Sequence, residues 1–299
     1  MIHITGETGL TGLLGSPVAH SISPLMHNYS FQSLGLDYVY LCFDVKEQGL
    51  KDAVQGLRAL NVKGFNLTMP DKNKVLEHLD ELSCAARLIG AVNTVENRDG
   101  RLIGHNTDGI GFMRSVAEQG LEMKGKTMTL LGAGGAATAI CAQAALDGVA
   151  HMHIFLRSTS SHLSRMEALA ENLSVETGCK FQIHDIRDLQ TLEHAVREST
   201  LLVNATSVGM APRPDTCILP EDFAFPAALS VADIIYNPWE TRLLSLAKKA
   251  GCKTFNGYGM LLYQVAFRAS EPMQRCIHPP TRWQIRRVMS CFFSRSSTD

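Results

Sequence analysis

The sequence predicts an α/β protein built as two domains. Three observations carry that reading. Strand-like and helix-like segments alternate along nearly the whole chain, as they do in open sheets covered by helices. A glycine-rich turn, Gly132-Ala-Gly134-Gly135, joins a strand-like run to a helix-like run near the middle. The length of 299 residues, 45% of them apolar, suits two ordinary domains of about 150 residues each.

The elements follow in order. Gly12 to Gly15 reads as a short buried strand. Ser23 is placed to cap a helix with Pro24 at its first position, ending near Leu34 before a terminating Gly35. Residues 38–43 are rich in strand formers. Leu50, Ala53, Val54 and Leu57 share one face of a helix. Residues 62–69 return to strand, and Pro70 opens another helix. Asn97-Arg-Asp99-Gly100 marks a hairpin turn between 92–95 and 102–103. A helix starts near Asp108, and the crossover between domains falls within 108–126.

Residues 127–150 then form a strand, a turn and a helix. Further strands are expected at 151–155, 181–184, 201–203, 231–236 and 253–255, with helices at 163–173, 189–197 and 240–250. This alternation predicts a mostly parallel, doubly wound sheet. A helix over 260–270 returns to the first domain, and Arg282, Arg286, Arg287 and Arg295 read as a solvated basic tail. The expected domains are 1–110, completed by C-terminal helices in about 258–290, and 111–257.

Charged residues make up 19% and the formal net charge is -1, a balance without general attraction for nucleic acid or an anionic membrane. No apolar run reaches the roughly 18 residues of a membrane-spanning helix, and the polar start lacks a signal-peptide layout. The eight cysteines are scattered, with no CxxC pair and no zinc-like cluster. Reduced thiols in a cytoplasmic protein with no metal are expected.

Gly132, Ala133, Gly134, Gly135, Ala136 and Ala137 fit the GxGxxA form of a dinucleotide fingerprint, in the strand-then-helix setting that gives such letters meaning. Gly132 makes the tight turn, Gly134 admits a pyrophosphate, and Ala137 allows close helix–strand packing. The helix start adds amides and positive dipole character. An acid about 20 positions on usually marks NAD. Here the stretch is Leu156-Arg157-Ser158-Thr159, with no acid. Arg157 suits a 2′-phosphate, with Ser158 and Thr159 as donors, so the cofactor is NADP or NAD with a slight preference for NADP. Arginine also stacks on adenine, which leaves use of both open.

Several separated motifs accumulate around this turn. They are Ser21-Ile-Ser23-Pro24, Asn66-Leu-Thr68-Met-Pro70-Asp-Lys72, Gly90-Ala-Val-Asn93-Thr94 and Asn106-Thr-Asp108-Gly109 before it. After it come Asn204-Ala-Thr206-Ser207-Val208-Gly-Met210, Tyr236-Asn-Pro238 and Gly257-Tyr-Gly-Met-Leu-Leu-Tyr-Gln264. Together, from about residue 11 to residue 270, they resemble the shikimate dehydrogenase family, and more particularly the branch called quinate/shikimate dehydrogenase.

The resemblance implies a two-domain enzyme: an N-terminal α/β substrate domain and a Rossmann-like dinucleotide-binding domain. It implies reversible nicotinamide-dependent hydride transfer between shikimate and 3-dehydroshikimate, or quinate and 3-dehydroquinate. It places substrate contacts on Ser21, Ser23, Asn66, Thr68, Lys72, Asn93, Asp108 and Gln264, with Tyr236 near the cleft. Asn204, Thr206, Ser207, Val208, Met210 and Gly257 fall on the cofactor side. The chain departs from the family at Leu156, where better-known branches often carry asparagine, and at Thr159, where the nearer branch can carry an acid.

A small polyhydroxy anion needs short polar groups, which the serines, threonine, asparagines and glutamine supply. Each has a plainer reading alone: Ser23 as a cap, Thr68 as a strand former, Asn66 and Asn93 as turn residues, Tyr236 as packing beside Pro238. Their joint occurrence favours the site. Reducing a ketone needs a proton at oxygen, and Lys72, in the first turn of the expected helix, is the candidate relay. Asp108 would fix that ammonium and accept a substrate hydroxyl. The expected partner is a small molecule, and the expected state a monomer or homodimer. The competing readings are a same-scaffold dehydrogenase for another cyclic polyol or hydroxy acid, and a nicotinamide-sensing protein without turnover.

Overall fold

The computed structural model describes residues 4–19 and 21–268. The chain divides into two compact units: residues up to Thr107 with the chain from Gln264, and Asp108 to Tyr263. The basic tail, the helices expected beyond Arg268, Cys276 and Cys291 lie outside the described residues.

The first unit runs β1 (Gly9–Gly15), α1 (Ser23–Ser33), β2 (Tyr38–Asp44), α2 (Leu50–Ala59) and β3 (Gly64–Leu67). It continues through β4 (Glu81–Leu82), α3 (Cys84–Ile89), β5 (Thr94–Arg98) and β6 (Arg101–His105). The sheet order is β2-β1-β3-β5-β6-β4. β1 is parallel to β2 and β3, while β5 is antiparallel to β3 and β6. Leu50, Val54 and Leu57 of α2 bury against Leu14, Phe65 and Leu67 of the sheet, at about 1.5–3 kcal/mol per side chain. The hairpin closes through Asp99 (φ 52°) and Gly100 (φ 88°), both left-handed, as a tight two-residue turn requires.

Two expectations in this unit are corrected. Ser23 is the first residue of α1, not its cap; the cap position falls to Ile22, already helical at φ -84° and ψ -6°. Pro24 has no amide to satisfy, so the donor needing an acceptor is the Ser23 amide, which Ser21 Oγ accepts at 3.2 Å. Pro70 does not open an α-helix either. Residues 69–73 form turns, and only a 3₁₀ segment, Lys74–His78, follows. An α-helix would need the Lys72 carbonyl to accept from residue 76, but it accepts from the Val92 amide at 2.8 Å.

The second unit contains α4 (Asp108–Glu118), β7 (Thr127–Leu131), α5 (Gly135–Leu146), β8 (His151–Leu156), α6 (Leu163–Thr177) and β9 (Lys180–Asp185). It goes on through α7 (Leu189–Glu198), β10 (Leu201–Asn204), β11 (Ser230–Asp233), α8 (Arg242–Lys249) and β12 (Lys253–Phe255), and α9 (Tyr258–Arg268) follows. All strand pairs here are parallel. The order β12-β11-β10-β7-β8-β9, read from the other end with β7 as strand 1, is 3-2-1-4-5-6. β11 stops short of the expected Tyr236 because the Asp233 carboxylate accepts the Ile235 amide at 3.0 Å and turns the chain.

Two motif glycines are packing glycines. A Cβ on Gly109 would lie 2.2 Å from the Ala139 carbonyl oxygen, so α4 and α5 meet at backbone distance. A Cβ on Gly257 would lie 1.7 Å from the Ile234 carbonyl oxygen. The six described cysteines are free thiols, and burial pushes Cys179 up to about 11.

His153 of β8 and His184 of β9 stack with ring centroids 5.6 Å apart. Burial lowers both below the usual imidazole range. The unfolded chain therefore takes up these protons first. Their contribution to stability is complete above the unfolded value near 6.5 and is lost as pH falls below it. Thermal melts from about pH 7.5 to about pH 5.5 should show falling stability, with a smaller fall in His184→Phe. Equal pH slopes in the two proteins would remove this pair as a cause.

Candidate active site

In the first unit the chain leaves β1 toward β2 on one side and returns to β3 on the other. Such a reversal opens a crevice at the carboxyl ends of β1 and β3. The segments leaving those ends carry Ser21 and Ser23 from β1, and Thr68 and Lys72 from β3. Gly15 lets them approach: its φ is +155°, and a Cβ there would lie 2.4 Å from Thr68 Cγ2. The Ser16 amide donates to the Met69 carbonyl at 3.3 Å, and the Thr68 amide to Leu14 at 3.0 Å.

Beneath them lies a buried polar network. Tyr40 donates its hydroxyl to Asn66 Oδ1 at 2.7 Å. Asn66 Nδ2 donates to the Asn93 carbonyl at 3.3 Å and to Thr94 Oγ1 at 3.2 Å. Asn93 Oδ1 accepts the Thr107 amide at 2.9 Å, and Asn106 Nδ2 donates to the Ala91 carbonyl at 3.1 Å. With the bond from Val92 to the Lys72 carbonyl, the network brings Asn66, Asn93 and Lys72 together. Asn66 and Asn93 are both buried members of this network, and Lys72 is half-buried.

In the second unit the analogous crevice falls between β7 and β10. The Gly132 turn and the segment after Asn204 both lie there. Gly132 has φ +113°, and a Cβ on it would lie 2.9 Å from the Ala205 carbonyl oxygen. Gly134 and Gly135 differ: a Cβ on either would meet nothing within 4 Å. No side chain caps α5 at Gly134, so its first amides lack a side-chain acceptor. Ala137 is fully buried, as close helix–strand packing demands.

Asn204 is fully buried and works internally. Its Nδ2 donates to Asp233 Oδ2 at 3.0 Å, and its Oδ1 accepts from Thr206 Oγ1 at 2.7 Å. Its side chain braces the loop that presents Ser207, Val208 and exposed Met210, which leaves that segment's backbone as the part that faces the crevice. Asp233 is held by Asn204 and by Thr241 Oγ1 at 2.8 Å, and burial pushes its carboxyl above the usual range. Tyr236 is 38% exposed, and Trp239 beside it 58%. Asp108 is the first residue of α4 and is buried, while Gln264 is half-buried on α9.

Arg157, Ser158 and Thr159 are exposed just after β8. Sequence reasoning missed what meets them. Asp185 ends β9 opposite Leu156, the last residue of β8, and Arg187 pairs with it at 2.6 Å. The signal was present in His184-Asp-Ile-Arg187, but only the strand register connects it to the β8 tip.

Two crevices at strand ends, one framed by short polar groups and one by a glycine cradle at a helix start, define a nucleotide-dependent dehydrogenase. Residues 13–95 match the family described as the shikimate dehydrogenase substrate binding domain. A shikimate dehydrogenase (NADP(+)) of Listeria monocytogenes is 50% identical over 263 residues, which cover 88% of this chain and 90% of that protein. The structure of shikimate 5-dehydrogenase from Listeria monocytogenes in complex with shikimate and NAD aligns with TM-score 0.91 at 46% identity, covering 97% of this chain and 98% of that one. The ligand-free 5-ketofructose reductase of a Gluconobacter species aligns with TM-score 0.84 at 34% identity, covering 96% and 100%. The chain belongs to the shikimate dehydrogenase family.

Proposed function

We propose that this chain catalyses reversible hydride transfer between shikimate and 3-dehydroshikimate, quinate and 3-dehydroquinate, or both, with NADP or NAD. The observation that carries the reading is the open glycine pair, Gly134 and Gly135, at the switch point of a 3-2-1-4-5-6 sheet. The protein itself gives no steric reason for glycine there. A dinucleotide pyrophosphate is the group that needs the room. Bound there, a nicotinamide supplies or takes up the hydride.

On this reading Ser21, Ser23, Asn66, Thr68, Asn93 and Gln264 orient the substrate hydroxyls and carboxylate. Asn66 sets the positions of Tyr40 and Asn93. Tyr236 adds a hydrogen bond at the cleft. Lys72 Nζ holds the proton that passes to or from the reacting oxygen, and Asp108 fixes that ammonium and accepts a substrate hydroxyl. On the cofactor side, the 132–137 turn takes the pyrophosphate, residues 204–210 line the nicotinamide mainly through backbone and packing, and Gly257 keeps the backbone close. Among the described residues no helix is long and apolar enough to cross a membrane. The protein acts in the cytoplasm, as a monomer or homodimer.

A steady-state panel of shikimate, quinate and related acids with each cofactor tests the reading, and turnover of shikimate or quinate is expected. The likeness to 5-ketofructose reductase favours one second reading, a dehydrogenase of another cyclic polyol. Turnover confined to such a compound would establish it. Cofactor binding without any turnover would leave a sensor.

Cofactor choice has its own test. Arg157→Ala should weaken NADP binding about tenfold, the scale of one charge-assisted contact, and NAD binding less. Equal losses in calorimetric titrations would place Arg157 against adenine rather than phosphate.

A further inference from the structure

The loop after β8 is where this sheet order reads the adenosine ribose, and the sequence of that loop contains no acid. The fold supplies one from the neighbouring strand. Asp185 Oδ2 accepts the Ser158 amide at 3.3 Å. Arg187 donates to the same carboxylate from Nε at 3.0 Å and from Nη2 at 2.6 Å, and its own amide donates at 2.9 Å. Arg187 Nη2 also donates to Ser158 Oγ at 2.7 Å. A carboxylate is therefore fixed at the tip of β8 by four hydrogen bonds.

This arrangement changes how the tip meets a nucleotide. The Ser158 amide, a natural donor to a 2′-phosphate, already serves Asp185. A phosphate entering there must displace one anion or sit beside it. Ribose hydroxyls face no such conflict, because a carboxylate accepts from them. Arg187 is neutralised in a forked pair, which leaves Arg157 to attract the phosphate. Attraction and repulsion thus stand side by side on one loop.

We infer that Asp185 is a specificity-determining residue that limits use of a 2′-phosphorylated dinucleotide, opposing Arg157 across the tip of β8. The inference rests on the dinucleotide reading of the second unit. It adds that the balance between the two cofactors is set by the end of β9, outside the loop that carries the fingerprint.

The test is calorimetric titration with NADP, NAD, adenosine 2′,5′-bisphosphate and adenosine 5′-monophosphate. Asp185→Asn keeps the shape, removes the charge and loosens Arg187. It should raise the ratio of NADP to NAD affinity about tenfold, with the same direction for the two adenosine probes. Asp185→Glu should stay near the wild-type ratio. Arg187→Ala leaves the carboxylate unopposed and should move the ratio the other way. A purely structural role would weaken both cofactors together and leave the ratio unchanged. An unchanged ratio in folded Asp185→Asn, or movement in the same direction as Arg187→Ala, overturns the inference. Absence of binding by both cofactors to the unaltered protein would instead overturn the dinucleotide site itself, and the inference with it.

Discussion

Gly134→Val is expected to weaken both NADP and NAD by about a hundredfold or more, roughly 2.7 kcal/mol, while the protein stays folded. The backbone at Gly134 lies at φ -73° and ψ -177°, a conformation open to any residue. A Cβ there meets no protein atom within 4 Å. Valine is a poorer cap than glycine, so a stability loss of about 1 kcal/mol is the most the fold should register. The added methyl groups instead occupy the space in front of the first amides of α5, where the pyrophosphate must come close. Gly132 could not give so clean a test. Its φ of +113° and its closeness to Ala205 make any side chain there a folding defect. Titration of folded Gly134→Val with each cofactor decides the matter, and unchanged affinity for both would remove the turn from cofactor binding.

The second unit was readable because its signals are local. Alternating strands and helices, the glycine turn and the packing alanines at 137, 139 and 144 are all set within a few residues of one another. The two crevices follow from strand order, which parallel β–α–β connections largely determine. In the first unit the Asp99-Gly100 turn was equally local, since it needs two left-handed residues.

What escaped depends on partners distant in sequence. The hairpin was legible from its turn, although its strands are Thr94–Arg98 and Arg101–His105 where 92–95 and 102–103 were expected. The two-residue strand β4 exists only because Glu81 and Leu82 pair with Ile103 and Gly104. Pro70 looked like a helix start until the Val92 amide claimed the carbonyl of Lys72. The brace between Asn204 and Asp233 joins residues 29 apart, and no local pattern announces it. Asp185 and Arg187 were invisible as neighbours of Ser158 until strand register set them there.

The proposed catalytic pair gives the other large effect. Lys72→Ala should leave the fold and cofactor affinity nearly intact and depress turnover roughly 10²-fold or more, the range for a lost general acid–base group. The segment carrying Lys72 is held by backbone bonds, at Thr68 to Leu14 and at Val92 to Lys72, and truncating the side chain leaves those bonds in place. Lys72→Met keeps the stem and removes only the ammonium, which separates charge from packing. On the proposed mechanism Asp108→Asn should act by a second route, through the charge assigned to fix Lys72 and through a weakened acceptor for substrate, so part of its loss should appear in KM. If the two side chains work as one unit, the double variant loses less than the sum of the single losses. The measurement is a full mutant cycle in kcat and kcat/KM, with melting curves recorded for every variant. Turnover near the unaltered level in folded Lys72→Ala, across the working pH range, would take Lys72 out of the proton transfer. Strictly additive losses would keep both residues in the reaction but dissolve the pair.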